Sequence, residues 1–228
     1  MCTVCGCSPN SVEHEKLISI EQDILQYNNQ HAAQIRQHLK AKNIYALNFV
    51  SSPGAGKTSL LERTITDLKS EINFSVIEGD QQTERDAKRI RQAGAKAQQI
   101  NTGKGCHLDA DMIQQAVNTL SPPHDSILLI ENVGNLVCPA AFDLGEHLTV
   151  VMLSVTEGDD KPLKYPDIFY AADIVIISKI DLLPYVEFDI EQCKNYLSRI
   201  KQHQQILPLS VTSGEGLTAW YELLKSRP

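Results

Sequence analysis

Aliphatic runs alternate with polar, helix-periodic stretches along most of the chain. Runs such as Ile127–Ile130 and Ile174–Ile177 are apolar at every position, which is typical of strands that are buried on both faces. The alternation predicts an α/β protein with a mostly parallel, doubly wound sheet. After the first strand, further strands are predicted at Phe74–Glu78, Lys96–Ile100, Ile127–Glu131, Leu148–Val155, Ile174–Ser178 and Gln205–Leu209. Helices are predicted at Thr83–Gln92, Leu108–Leu120, Ile190–His203 and Leu217–Lys225.

The stretch 46–60 predicts a strand, a glycine-bearing turn and a helix that starts at Lys57, which is the pattern of a phosphate-binding loop. Gly54 and Gly56 allow the backbone N–H groups to approach a polyphosphate closely. Lys57 is predicted to reach the β- and γ-phosphates, and the Thr58 hydroxyl to bind Mg²⁺. Ser51 stands where this loop usually has its first glycine. The predicted nucleotide-binding residues of the loop are Pro53, Gly54, Ala55, Gly56, Lys57, Thr58 and Ser59.

The chain before this loop has two parts of different composition. Residues 1–10 carry three cysteines and almost no apolar side chain, so we expect a flexible tail. Residues 11–43 are expected to form a helical segment, because the polar stretch from Ser11 to Lys42 has apolar positions near helical spacing. The helix should pack on the nucleotide domain or on a partner. The nucleotide-binding domain is predicted to span residues 44–228.

Cys2, Cys5 and Cys7 are candidate metal ligands. Cys2 and Cys5 have the C-x-x-C spacing that closes two thiolates on one ion, Gly6 permits a tight turn, and Cys7 can add a third sulfur. Such a site selects Zn²⁺, Ni²⁺ or Cu⁺ over Mg²⁺ or Ca²⁺. The alternative is a tail whose cysteines are incidental or redox-active.

Two predicted strands end in carboxylates. Asp80 follows one strand and Glu131 ends another, and the carboxyl ends of parallel strands are where α/β sheets bind ligands. With Thr58, these carboxylates are candidate Mg²⁺ ligands. Glu131 and Gly134 together read as a variant of the D-x-x-G switch element, in which the glycine N–H senses the γ-phosphate. Taken alone, each carboxylate is better explained as a helix cap or a solvated charge, and it is the phosphate-binding loop upstream that favours the metal and switch roles.

The strand at Ile174–Ile177 ends in Ser178-Lys179-Ile180-Asp181, which resembles the guanine-reading element N-K-x-D. Asp181 can accept from N1–H and the 2-amino group of guanine, donors that adenine lacks. The stem of Lys179 can lie over the base, while Ser178 replaces the usual asparagine. Ser210 opens a segment placed where GTPases close a loop over the base. Guanine is therefore predicted over adenine.

A second candidate metal site lies inside this domain. Cys106 and His107 are adjacent, and Cys138 follows the switch-like segment by three residues. A thiol, an imidazole and a second thiol can ligate one metal ion. Small buried thiols and an ordinary histidine explain the residues equally well on the sequence alone. Cys193, within an amphipathic helix, is interpreted as a core residue.

Composition limits the class of protein. The formal net charge is −7, which argues against nonspecific nucleic-acid binding. No apolar run approaches the length of a membrane span, and the start of the chain lacks the basic and apolar segments of a signal peptide. We therefore expect a cytoplasmic protein without a membrane span. In that reducing compartment its cysteines are interpreted as ligands, reactive thiols or small core residues in preference to disulfides.

These motifs together resemble the hydrogenase nickel-incorporation GTPases, the HypB family of the SIMIBI class of phosphate-loop GTPases. The resemblance covers essentially the whole chain. It departs from the family at Ser51 and Ser178 and in lacking a histidine-rich tract. The motifs are Cys2-x-x-Cys5-Gly6-Cys7, Pro53–Thr58, Ile77–Asp80, Asn101–Asp109, Glu131–Pro139 and Thr156–Pro166.

The resemblance implies a GTP-hydrolysing metallochaperone that loads nickel into [NiFe] hydrogenase. It also implies a nucleotide-dependent homodimer in which Cys106, His107 and Cys138 form a nickel or zinc site at the interface. A tight nickel site at Cys2, Cys5 and Cys7 is implied as well. A HypA-type accessory protein and the hydrogenase large-subunit precursor are the implied partners. The alternatives are a urease-type nickel GTPase and a nucleotide-gated nickel buffer.

Overall fold

The computed structural model describes residues 10–80, 85–103 and 105–226, with side chains from residue 22 onward. Within these residues one sheet has seven strands, and every strand pair is parallel. The order across the sheet is β3-β2-β4-β1-β5-β6-β7. This confirms the predicted α/β class. The strands are β1 Ile44–Ser51, β2 Asn73–Asp80, β3 Lys96–Asn101, β4 Ser126–Glu131, β5 Leu148–Ser154, β6 Ile174–Ser178 and β7 Gln205–Leu209.

Helices cover both faces of the sheet. α2, α3 and α8 pack on one face, and α1, α4, α6 and α7 pack on the other. The bounds of the helices are α1 Asn10–Ala41, α2 Lys57–Leu68, α3 Arg85–Ala93, α4 Ala110–Leu120, α5 Lys161–Lys164, α6 Pro166–Ala171, α7 Ile190–Ile200 and α8 Leu217–Lys225. Burial on both faces explains why the strands are apolar at successive positions. In β5, Val150 and Met152 face the α2 side while Val151 and Leu153 face the α7 side.

The long helix α1 packs on the sheet as expected. Ala32, Ile35 and Leu39 are buried against β1 and α4, so the narrow apolar stripe contacts the nucleotide domain. Most other described side chains of the helix are polar, and the apolar Ile24 and Tyr27 are exposed. Among the described residues, no helix combines the length and the hydropathy needed to cross a bilayer. Cys2, Cys5 and Cys7 lie outside the described residues.

Several helix boundaries differ from the predicted ones, and local hydrogen bonds explain the differences. α4 begins at Ala110, two residues later than predicted, because the Asp109 carboxylate accepts from Met112 N–H at 2.8 Å and caps the helix. α7 ends at Ile200, before the predicted His203. Lys201 there takes an extended backbone and its Nζ donates to Ala172 O at 2.7 Å, at the end of α6. The short helices α5 and α6 were not predicted, because four to six residues carry little periodic signal.

We expect the Thr64→Val substitution to destabilise the fold by about 1–3 kcal/mol, because a buried donor loses its partner. Trp220 is fully buried, and its Nε1–H donates to Thr64 Oγ1 at 2.9 Å. Valine keeps the shape of threonine but removes the acceptor. The free energy of unfolding, measured by urea titration, checks this. Thr66→Val on the exposed side of α2 is the matched control, and equal losses in the two variants would contradict the prediction.

Candidate functional site

A cavity of about 580 Å³ lies at the carboxyl ends of β1, β2 and β4. The loop after each of these parallel strands leaves the sheet at the same edge, so the three loops surround one space. The predicted phosphate-binding and switch segments both contribute to its wall. The cavity is lined by Pro53, Gly54, Gly56, Lys57, Thr58, Ser59, Glu78, Gly79, Asp80, Asp86, Arg89, Glu131, Asn132, Val133, Gly134 and Lys179.

The glycines of this wall are required by backbone conformation and by close packing. Gly54 and Gly56 have φ values of 77° and 102°, in the left-handed region where side chains are strained. Gly56 also caps α2, so the first N–H groups of that helix face the cavity. A Cβ on Gly134 would lie 3.0 Å from the Cα of Pro53. The switch segment therefore packs directly on the phosphate-binding loop, which the motif alone does not reveal.

Lys57 is buried, and its Nζ donates to Ser51 Oγ at 2.9 Å. Ser51 is the residue that replaces the usual first glycine of the loop, and its hydroxyl in turn donates to Ser52 O at 2.7 Å. Burial lowers the pKa of Lys57, and the nearby Glu131 carboxylate opposes that shift. The departure at Ser51 thus holds the lysine ammonium inside the wall of the cavity.

Thr58 and Glu131 are in direct contact. Thr58 Oγ1 donates to Glu131 Oε1 at 2.7 Å, while Glu131 Oε2 is buried with no hydrogen-bond partner among the described residues. Burial raises the pKa of Glu131, and Lys57 opposes the shift. A hydroxyl, a carboxylate with an unpaired oxygen and the nearby Asp80 form a set of hard oxygen donors that fits Mg²⁺.

Glu78, Asp86, Arg89 and Asn132 also line the cavity, and none of the four was singled out as a site residue from the sequence, although Glu78 and Asn132 lie within the recognised motifs. Glu78 lies opposite Glu131 in the register of β2 and β4. Burial, followed by the Glu131 charge, raises the pKa of Glu78 to about 8. The period of two along a strand places Glu78 on the same face as Asp80, so that signal was available. Arg89 was not recognisable in this way, because it lies on α3 and reaches the cavity only through the way that helix packs in the fold.

Arg89 joins α3 to α2. Its Nη2 donates to Glu62 Oε2 at 2.6 Å and to Ser59 Oγ at 3.3 Å, and its Nη1 donates to Asp86 Oδ1 at 3.2 Å. Arg89 therefore fixes the α3 side of the cavity against the helix that begins at Lys57.

The residues after β6 lie against the phosphate-binding loop. Lys179 Nζ donates to Gly54 O and Ser178 Oγ donates to Ala55 O, both at 2.7 Å. The departure at Ser178 thus has a structural role, because its short side chain reaches a loop carbonyl. Asp181 Oδ1 is buried with no partner among the described residues, so it can accept from a ligand. Neither Asp181 nor the buried Ser210 belongs to the wall of the 580 Å³ cavity.

Cys106, His107 and Cys138 come together where the loop after β3 meets the segment after β4. Their ligand atoms lie within 4.8 Å of one another, and all three side chains are partly exposed. The two Sγ atoms are 2.7 Å apart, and Cys106 Sγ is 3.6 Å from His107 Nδ1. The His107 ring stacks on Phe142 with ring centres 3.9 Å apart, which fixes the imidazole orientation. The alternative of separate core thiols does not describe this arrangement.

The chemistry of this triad suits a borderline metal ion. The hydrogen bond to Cys138, with burial, raises the pKa of Cys106, so the Cys106 thiol is protonated without a metal ion and releases its proton when one binds. Burial lowers the pKa of His107, which favours the neutral imidazole that ligates metals. Cys193 takes no part. It is fully buried in α7, where burial raises its pKa to about 12.

A family model described as "CobW/HypB/UreG, nucleotide-binding domain" matches residues 46–208. The hydrogenase maturation factor HypB of Rhizobium leguminosarum bv. viciae is 56% identical over 222 residues, which cover 97% of this chain and 74% of that protein. The chain belongs to the HypB family. The prediction made from the motifs is thus confirmed.

Two solved HypB structures share the fold of this HypB-family chain. HypB from Helicobacter pylori in complex with nickel has a TM-score of 0.82 at 42% identity, covering 87% of this chain and 94% of that one. HypB from Archaeoglobus fulgidus also has a TM-score of 0.82, at 41% identity, covering 88% of this chain and 98% of that one. The residues matched by the family model, 46–208, include both the cavity wall and Cys106, His107 and Cys138.

We expect the Glu78→Gln substitution to stabilise the metal-free protein increasingly as the pH rises. The pKa of Glu78 rises from 4.5 to about 8 in the fold, so between these values the folded state holds a proton that the unfolded chain has lost. Stability conferred by that proton therefore falls with rising pH, by up to about 1.4 kcal/mol per pH unit, and glutamine removes this dependence. Urea unfolding in EDTA at pH 5 and pH 8 measures the effect. The exposed Glu215→Gln variant is the control, and a Glu78→Gln effect that is equal at both pH values contradicts the prediction.

Proposed function

We propose that this chain is a GTP-hydrolysing nickel metallochaperone that acts in the maturation of [NiFe] hydrogenase. One observation carries the proposal. The segment 131–138 has at its first residue a carboxylate bound to Thr58 in the nucleotide cavity, and at its last residue a thiol in contact with Cys106. A nucleotide-dependent change in this segment therefore reaches the metal-binding triad directly. Membership of the HypB family and the name of its relatives support the same function.

The nucleotide is GTP. Residues 53–59 surround the phosphates with backbone N–H groups, Lys57 neutralises the β- and γ-phosphates, and Asp181 reads the guanine edge. Thr58, Glu131 and Asp80 hold Mg²⁺, which neutralises the charge on the phosphate oxygens. Lys179 packs over the base, and Ser210 belongs to the loop that closes over it.

Hydrolysis is slow in the isolated protein. None of the predicted site residues is an obvious catalytic base, so turnover awaits dimerisation or a partner. Gly134 N–H contacts the γ-phosphate and makes the segment 131–138 sensitive to its loss. This residue lies against Pro53, so a change at the phosphates is transmitted at once.

Nickel is the cargo. Cys106, His107 and Cys138 bind Ni²⁺ between two copies of the chain in a nucleotide-dependent dimer, since three protein ligands leave a coordination position open. Zn²⁺ fits the same ligands. GTP hydrolysis moves Cys138 and changes the affinity of the site, and a coupling free energy of about 1–3 kcal/mol is enough. Cys2, Cys5 and Cys7 supply a second, tighter nickel site.

The other participants follow from this function. A HypA-type accessory protein exchanges nickel with the chain, and the large-subunit precursor of [NiFe] hydrogenase receives it. Both act in the cytoplasm.

Asp181→Ala is expected to lower the preference for GTP over ATP. The substitution leaves two guanine donors unpaired, each bond to a charged acceptor contributing about 1.5–3 kcal/mol, so selectivity falls at least about 10-fold. Competition of GTP and ATP against a fluorescent GDP analogue measures it. Asp167→Ala, at an exposed position in α6, is the matched control. Unchanged selectivity in Asp181→Ala would rule out guanine recognition by this carboxylate.

Lys57→Ala should abolish hydrolysis of both nucleotides.

An anaerobic nickel titration tests the two metal sites. Replacing Cys2, Cys5 and Cys7 by alanine should remove the tight phase of thiolate-to-nickel charge-transfer absorption. Replacing Cys106 and Cys138 by alanine should remove only a weaker phase that depends on the bound nucleotide. If neither variant changes nickel binding, the GTPase remains and the nickel function does not.

A further inference from the structure

Two buried asparagines from different parts of the fold bond the backbone around the Cys106, His107 and Cys138 triad. Asn132 follows Glu131 directly and lines the nucleotide cavity. Asn28 belongs to α1 and lies outside the wall of that cavity. The two side chains are only 1% and 4% exposed. A buried amide needs partners for its donor and acceptor, so each asparagine constrains the segments it bonds.

Asn132 bonds in two directions. Its Oδ1 accepts from Leu108 N–H at 3.2 Å and from Val133 N–H at 2.9 Å, and its Nδ2 donates to Asn48 Oδ1 at 3.3 Å. Leu108 is the residue after His107. One side chain therefore connects the position next to Glu131 with the backbone next to a metal ligand.

The bonds continue from Asn48 to the loop that follows Cys138. Asn48 is 1% exposed, and its Nδ2 donates to Glu146 Oε1 at 3.0 Å. Glu146 Oε2 accepts from Leu144 N–H at 2.8 Å. This loop also carries Phe142, which stacks on His107. The path from Asn132 thus ends on both segments that supply metal ligands.

Asn28 bonds the same two segments without touching the switch. Its Oδ1 accepts from Ala110 N–H at 2.8 Å, and its Nδ2 donates to Asp143 O at 2.8 Å. Ala110 starts α4, which follows the loop of Cys106 and His107. Asn28 is therefore a natural reference for Asn132, since it has the same side chain and comparable burial and holds the same loops from the side of α1.

We infer that Asn132 is the positioning residue that makes metal affinity at the Cys106, His107 and Cys138 triad depend on the nucleotide, whereas Asn28 supports the triad equally in every nucleotide state. The inference rests on the proposed function and names the residue through which it is regulated. A buried amide that moves with Glu131 must either carry Leu108 along or break its bonds, so the triad has two discrete arrangements and no continuum between them.

Nickel titration of the full chain with Cys2, Cys5 and Cys7 replaced by alanine tests the inference. Affinity is measured with saturating GDP and with a saturating non-hydrolysable GTP analogue and Mg²⁺. The parent protein should show an affinity ratio of about 5–150 between the two states. Asn132→Ala should bring the ratio within about twofold of one. Asn48→Ala removes the next hydrogen bonds of the same path and should also bring the ratio within about twofold of one. This variant tests the inference if circular dichroism shows that Asn132→Ala does not fold.

Asn28→Ala is the matched control. It should weaken nickel binding by the same factor in both nucleotide states and leave the ratio unchanged. A parental ratio in both Asn132→Ala and Asn48→Ala overturns this inference alone, and so does a lost ratio in Asn28→Ala. A ratio of one in the parent protein overturns the coupling in the proposed function and this inference with it.

Discussion

The hydrogen bond from Thr58 to Glu131 is the contact on which the arrangement of the site depends. It joins the first turn of α2 to the last residue of β4, two segments 73 residues apart in the chain. The parallel sheet makes this contact possible, because β1 and β4 are neighbours whose carboxyl ends leave the sheet together. Everything after Glu131, up to Cys138, then starts from a position fixed relative to the phosphate-binding loop.

The Glu131 carboxyl in this contact is buried close to a second buried carboxyl. Glu131 and Glu78 face one cavity with only Lys57 as a buried cation among the described residues, and burial raises the pKa of both carboxyls. Carboxylates in such a place are ionised at low cost only when a cation is brought to them. A divalent ion delivered with a polyphosphate meets that demand. The protein alone thus leaves an electrostatic imbalance that the proposed Mg²⁺ and GTP correct together.

Sequence patterns predicted most of the fold, because buried parallel strands and amphipathic helices repeat a signal over many residues. They also located the phosphate-binding loop and the strand-end carboxylates, whose positions depend on neighbours in the chain. They could not decide the triad, since Cys106 and Cys138 meet only through the register of β3, β2 and β4. They also missed Arg89, whose contacts to Ser59 and Glu62 depend on how α3 lies against α2. Contacts between distant segments carry no local signal.

Ser51 and Ser178, which depart from the family motifs, also make contacts that the motifs do not indicate. Each serine donates a hydrogen bond to a carbonyl of the loop, Ser51 to Ser52 O and Ser178 to Ala55 O, both at 2.7 Å. Both bonds use carbonyl oxygens, so they stiffen the loop and leave its backbone N–H groups available to a phosphate. Lys179 does the same at Gly54 O. A loop held by three side chains is organised before a nucleotide arrives, which lowers the entropy cost of binding.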